Sequence, residues 1–196
     1  MRKKVASYQD AVSFHGHGCP GLALGYRVAV TALEMLGGGR SEDEEFVAIV
    51  ENNSCAVDAV QLVCGCTAGK GNLIFRDHGK QAYTFFNRKT GKGIRIYAEP
   101  FYMDDEEDER FRALAVKKKL NRREGREFEN IKKTRIGRIL AMDGTRFMRT
   151  SRPSEPMPER ALILDSCRCD SCGERVMKTR IEKHKGKQYC RSCLPR

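Results

Sequence analysis

The sequence predicts an α+β fold: helices packed on an antiparallel sheet, followed by a small zinc-ribbon or treble-clef-like module. Three observations predict it. Residues 20–36 are apolar at helical spacing, several short strand-type runs lie between residues 46 and 98, and two CxxC pairs close the chain. The division expected is a core domain over 1–150, a proline-rich linker over 151–160 and a four-cysteine zinc-finger module over 161–196.

At 196 residues the chain is long enough to bury a core. No apolar run approaches the roughly 18 residues that a membrane span needs. The start Met1-Arg2-Lys3-Lys4-Val5 lacks the apolar centre of a secretory signal. The expectation is a cytoplasmic protein with no membrane partner. Nine cysteines in such a compartment favour metal ligation or thiol chemistry over disulfides. The net charge is +11, and residues 167–196 carry 9 Lys/Arg against 3 Asp/Glu. A basic tail attracts nucleic acid, acidic proteins or anionic surfaces, and it also aids solubility.

Ser7 to Phe14 reads as a helical turn or two. Pro20 to Leu36 reads as a strong helix: Pro20 suits the first helical position, Leu22, Tyr26, Ala29, Leu33 and Leu36 recur along one face, and Gly37-Gly38-Gly39 stops it. Phe46–Val50 is of strand type and leads to a second helix from Cys55 to about Cys64, with Ser54 as its cap. Leu73–Phe75, Ala82–Phe86 and Ile94–Ala98 read as further strands, the last two joined as a hairpin through residues 88–93. The acidic run 104–109 precedes a helix through Phe111–Leu120, and acid first with base last suits a helix dipole. Arg122 to Met142 reads as another helix, whose many cations read as a solvated face rather than a nucleic-acid track. Three prolines between 153 and 158 forbid regular structure, and Ala161–Leu164 reads as a strand.

Cys169-x2-Cys172 and Cys190-x2-Cys193 have zinc-ribbon spacing and predict a structural Zn²⁺ site. Cys167 and His184 are spare candidates. A hairpin pairing Val176–Lys178 with Gly186–Tyr189 is expected between the pairs. So short a module cannot be stabilised by core burial alone, so the metal is a folding requirement. Only three residues follow Cys193, too few for a DNA-reading helix.

The densest chemistry lies in Phe14-His15-Gly16-His17-Gly18-Cys19-Pro20-Gly21. If this segment is extended, His15, His17 and Cys19 point to one side and converge on a metal or substrate. Cys19 falls at a helix N-cap, where the helix field favours thiolate. Cys55 and Cys66 stand at helix ends, whereas Cys64 reads as core. Asp58 and Lys70 are polar supports beside the thiols, and Lys70 between two glycines could bring an ammonium to an anion. Gly69-Lys70-Gly71 lacks the spacing of a nucleotide-binding P-loop. The candidate groove is therefore His15, His17, Cys19, Cys55, Asp58, Cys66 and Lys70, and a second metal, a transition metal, would be held by His17, Cys19, Cys55 and Cys66.

Three ordered motifs, residues 14–27, 53–61 and 65–73, closely resemble the FmdE family, whose name comes from formylmethanofuran dehydrogenase. The terminal CxxC module is similar to the zinc finger of some members. The resemblance implies an α+β core, a homodimer, and a groove lined by the histidine and cysteine motif residues. It also implies a link to the molybdenum or tungsten enzyme that reduces CO2 onto methanofuran, and so a place in a larger metalloenzyme complex. No pterin-binding or iron–sulfur pattern equips this chain for that redox chemistry alone. A reading from another class is a zinc-finger adaptor or regulator that binds nucleic acid or a partner protein through its basic C-terminal module.

Overall fold

A computed structural model describes residues 5–99, 106–162 and 164–195. The chain divides into two compact units, Met1–Arg160 and Ala161–Arg196. None of the described helices is long and apolar enough to cross a membrane.

In the first unit α1 (Tyr8–His15) leads into α2 (Pro20–Leu36), β1 (Phe46–Val50), α3 (Ala56–Cys64), β2 (Leu73–Phe75), β3 (Ala82–Asn87) and β4 (Lys92–Ala98). Helices α4 (Glu106–Ala115) and α5 (Arg122–Ala141) and strand β5 (Met148–Ser151) complete it. The sheet order is β2-β1-β3-β4-β5. All neighbours are antiparallel except β1 and β2, which run parallel, with Ala48 opposite Leu73. That pairing is possible because α3 lies between the two strands and supplies the crossover a parallel connection requires. β5 has no counterpart among the strands expected from sequence, since Met148-Arg149-Thr150-Ser151 carries a single apolar residue. It is held by pairing, Ile96 opposite Thr150 and Ala98 opposite Met148.

One sheet face carries Phe46, Ala48, Val50, Tyr83, Phe85, Ile94 and Ile96, packed against Leu24, Val28 and Leu33 of α2, Val60 and Val63 of α3 and Ile139 of α5. Each aliphatic side chain fully buried there contributes about 1.5–3 kcal/mol. The alternation predicts that β1 has a second face, and Val47, Ile49 and Phe86 form it, with Ile74 and Met157 against them. The proline-rich segment lies along this face: Pro153 approaches Gly93, and Arg88 donates to the carbonyls of Pro158 and Glu159 at 2.6 and 2.9 Å.

Two contacts set the helices around the site. A Cβ on Gly25 would lie 2.2 Å from the Ala56 carbonyl oxygen, so α2 meets the start of α3 at backbone distance and admits only glycine there. From the next turn of α2, Arg27 Nη1 donates to the carbonyls of Ile139, Leu140 and Met142 at 2.7–2.8 Å, satisfying the exposed end of α5. Its guanidinium also lies 5.5 Å from the Phe147 ring centroid.

Several local expectations are corrected. Cys55, not Ser54, is the N-cap of α3, because the Ser54 hydroxyl donates to Asn52 at 2.8 Å. Asp104 and Asp105 lie outside the described residues, and the acids from Glu106 onward are inside α4, forming its first turn. In the second unit Ala161, Leu162 and Leu164 have no regular structure, and Ile163 lies outside the described residues. Leu162 is 65% exposed, so no apolar surface is gained by ordering that run as a strand.

The hairpin between the cysteine pairs does not use Val176–Lys178 as one arm, and a second hairpin encloses the first cysteine pair. β6 (Ser166–Arg168) pairs with β7 (Arg175–Met177), and β8 (Ile181–His184) pairs with β9 (Lys187–Cys190). The β6–β7 turn carries Cys169 and Cys172, whereas Cys190 is the last residue of β9 and Cys193 follows it. The reversal of β8 into β9 uses Lys185 and Gly186, both at positive φ, as a tight antiparallel turn demands.

Candidate functional site

His15, His17 and Cys19 each offer a ligand atom, and the three atoms all lie within 4.8 Å of one another. The way the chain brings them together differs from an extended strand. His15 is the last residue of α1, and Gly16 is its left-handed cap at φ 93°. This conformation, costly for a residue with a Cβ, turns the chain so that the His15 and His17 rings face at 4.5 Å between centroids. Cys19 then caps α2, where its Sγ accepts the Leu22 N–H at 3.3 Å.

α3 supplies the second wall. Cys55 is its N-cap, and a Cβ placed on Gly21 would sit 3.5 Å from Cys55 Cβ and 4.0 Å from Cys19 Sγ. The two thiols are therefore neighbours across Gly21. Burial pushes the Cys55 thiol up from its ordinary range, and the adjacent Cys19 adds to the shift. An uncharged thiol at Cys55 is thus the resting form until a cation compensates the charge.

Asp58, in the first turn of α3, fixes His15. Its Oδ2 lies 2.6 Å from His15 Nδ1, and its Oδ1 accepts from Gln61 Nε2 at 3.0 Å. A carboxylate can only accept, so it selects the Nδ1–H tautomer and leaves a lone pair on Nε2. His15 Nε2 is buried and has no hydrogen-bond partner among the described residues. A buried polar nitrogen without a partner costs about 1–3 kcal/mol, and the carboxylate–imidazole arrangement is the one that orients histidines toward metals.

The rest of the wall is aromatic and aliphatic. Tyr8 Oη lies 3.5 Å from the Cys19 carbonyl, its ring packs edge-on to Tyr26, and burial raises its hydroxyl to about 12. The Ile136 side chain of α5 closes on Gly18 at 3.6 Å from its would-be Cβ. Sequence reasoning passed over Tyr8 and Ile136, because their roles depend on how α1 and α5 dock. Gln61, three residues after Asp58 on a helix, was legible as its partner.

Two candidates lie elsewhere. Cys66 is fully buried in the main core cluster, and desolvation raises its thiol to about 12. Lys70 directs its ammonium to the carbonyls of Ser41 and Glu42 at 3.4 and 3.2 Å. The loop bearing both is latched by buried Asn72, which accepts from Thr67 N–H and donates to the carbonyls of Asp43 and Phe46. Nothing among the described residues joins Cys66 or Lys70 to the His15–His17–Cys19 group.

The sulfurs of Cys169, Cys172, Cys190 and Cys193 also lie within 4.8 Å of one another. The edge of a tetrahedral zinc thiolate site is about 3.8 Å for Zn–S bonds of about 2.3 Å, so the four sulfurs fit such a metal with little adjustment. Backbone N–H groups of Cys172 and Cys190 pull the Cys169 thiol down to about 6, favouring the thiolate a metal needs. Cys167 stands apart, its Sγ 3.9 Å from the Val176 carbonyl.

A family model described as "FmdE, Molybdenum formylmethanofuran dehydrogenase operon" matches residues 14–149. A curated relative from Archaeoglobus fulgidus, named a probable S-adenosyl-L-methionine-binding protein, is 36% identical over 180 residues, covering 88% of this chain and 49% of that protein. The chain thus spans about half the length of that relative. A crystal structure of a tungsten formylmethanofuran dehydrogenase FmdE-like protein from Syntrophus aciditrophicus superposes with a TM-score of 0.61 at 24% identity. The match covers 98% of this chain and 96% of that one, and it bears on the fold.

Proposed function

The chain belongs to the FmdE family, and from that premise we propose that it is a cytoplasmic metalloprotein whose core binds a transition metal between α1, α2 and α3. His15 Nε2, His17, Cys19 and Cys55 are the ligand set, and Asp58 orients His15. The module at 161–196 holds a structural Zn²⁺ through Cys169, Cys172, Cys190 and Cys193. The protein serves one-carbon chemistry as a homodimeric accessory component of, or enzyme beside, a formylmethanofuran dehydrogenase-type complex.

One observation carries the core site: His15 Nε2 is buried and unpartnered while Asp58 holds the opposite ring nitrogen. A satisfied core histidine would spend both nitrogens within the protein. Two imidazoles and two thiols are a borderline-soft donor set, which suits zinc, nickel, cobalt or iron rather than magnesium or calcium. When bound, the metal would supply Lewis acidity to a carbonyl or thiol ligand. The chain's own part is to orient His15 and to restrict water with Tyr8 and Ile136. Exposed His17 places the site at the surface, within reach of a ligand or of another subunit.

The test is metal content per chain by mass spectrometry, on wild type and on His17→Ala and Cys19→Ala. Both variants are expected to lose one equivalent of transition metal and to keep the zinc of the terminal module, with unchanged far-ultraviolet dichroism. Folded variants that retain the wild-type metal count would overturn the core site.

A further inference from the structure

We infer that the exposed face of the α4–α5 hairpin binds the phosphate backbone of nucleic acid. The sequence shows this region only as a mixture of charges. Over residues 106–141 it has 12 Lys/Arg and 7 Asp/Glu, the balance of an ordinary solvated surface.

The folded hairpin separates that mixture. Glu127 pairs with Arg110, Glu124 with Lys117, Glu129 with Lys132 and Glu107 with Arg138, and buried Asp108 takes both Arg112 and Arg135. Three of these pairs, Arg110–Glu127, Arg138–Glu107 and Arg135–Asp108, join α4 to α5 beside the stacked rings of Phe111 and Phe128. Lys132–Glu129 and Arg112–Asp108 lie within single helices, and Glu106 and Glu109 stay exposed at the start of α4. Left over are Lys118, Lys119, Arg122, Arg123, Arg126 and Lys133, all exposed and without an ion-pair partner among the described residues.

Their placement is ordered. Arg122, Arg126 and Lys133 recur at i, i+4 and i+11, which is one face of α5, over about 16 Å at 1.5 Å per residue; Glu129, at i+7 on that face, is neutralised by Lys132. The loop before α5 adds Lys118 and Lys119 at the Arg122 end. The face ends in charged groups and carries no buried aromatic or aliphatic anchor, the feature around which a protein partner would dock. An extended row of guanidinium and ammonium groups without an apolar centre matches repeated phosphates instead, where binding is driven by release of condensed counterions. The site is separate from the proposed metal centre and does not depend on it.

The test uses the full metal-loaded chain and a short fluorescein-labelled duplex DNA, with anisotropy read between about 50 and 200 mM salt. Wild type is expected to bind with steep salt dependence. The triple variant Arg122→Glu, Arg126→Glu, Lys133→Glu should lose tenfold or more in affinity at the lowest salt, and its log–log salt slope should fall by about 2–3, near 0.9 per phosphate contact. Lys183→Glu, Lys185→Glu, Lys187→Glu in the terminal module is the control, expected to stay within about threefold of wild type if the binding cations are those of the hairpin. Dichroism and metal content keep a misfolded variant from being read as a binding loss. The inference fails if the hairpin variant, folded, binds as wild type, if the loss follows the terminal-module variant alone, or if polyglutamate displaces DNA from wild type as well as unlabelled DNA does.

Discussion

His15 Nδ1 lies 2.6 Å from Asp58 Oδ2, a contact that joins the last residue of α1 to the first turn of α3 across 43 residues of chain. It does two things at once. It selects the imidazole tautomer, and it ties together the two helices that carry the thiols and imidazoles. Gln61 holds the other carboxylate oxygen, so the ring is oriented through a short relay of side chains rather than by packing alone.

Removing that relay should weaken metal binding without removing a ligand. Asp58→Ala is expected to lower affinity for added cobalt(II) by about 10–100-fold, the usual effect of losing a carboxylate that orients a ligand histidine. Asp58→Asn, which retains an acceptor for Nδ1–H but lacks the charge, should fall between it and wild type. The cobalt–thiolate absorption band reports the titration. Equal affinity in all three proteins would mean that His15 is not a ligand.

How far the sequence reached this site can be judged residue by residue. Pro20 after a thiol, apolar periodicity and a glycine stop were sufficient for α2 and for Cys19 as its cap, because capping is a local property. Convergence of His15, His17 and Cys19 was also anticipated, but through strand alternation, whereas the turn is made by Gly16 at positive φ at the end of α1. Cys66 looked equivalent to Cys55, since both stand at helix ends. Only the docking of the Cys66–Asn72 loop under β1, with Ala48 N–H bonded to the Asn72 carbonyl, places one thiol in the core and the other beside Cys19. The separation of charges on α4 and α5 was equally hidden, because composition records how many acids there are and not which cations they meet.

Acid should reveal the loop that precedes β1. The Ser41 hydroxyl, at 2.8 Å, and then backbone N–H groups including that of Asp43, at 2.9 Å, hold the Glu45 carboxyl down to about 2. A depressed carboxyl contributes stability above its ordinary value near 4.5 and loses it as pH falls toward the folded value. Glu45→Gln should therefore be less stable than wild type at pH 7, by about 1–2 kcal/mol after allowance for partial exposure. The gap should narrow steadily between about pH 5 and pH 2. Denaturant midpoints of the two proteins across that range measure it, and a gap that stays constant with pH would show that Glu45 acts through its shape and not its charge.

Metal removal should separate the two units. The terminal unit has only Cys169 and Cys190 buried among its described apolar residues, while Leu162, Leu164 and Met177 are exposed, so area burial cannot hold its two hairpins together. If the four sulfurs are the staple, a chelator should release amide protection throughout Ser166–Arg168 and Ile181–Cys190, because metal-binding free energy is then the folding free energy of that unit. α2, with nine buried residues against the sheet, should remain protected under the same treatment. Hydrogen exchange on the full chain, with and without chelator, reads both segments in one experiment. Unchanged protection over Ile181–Cys190 after complete zinc removal would mean that hairpin pairing alone suffices, and the four-cysteine cluster would lose its structural role.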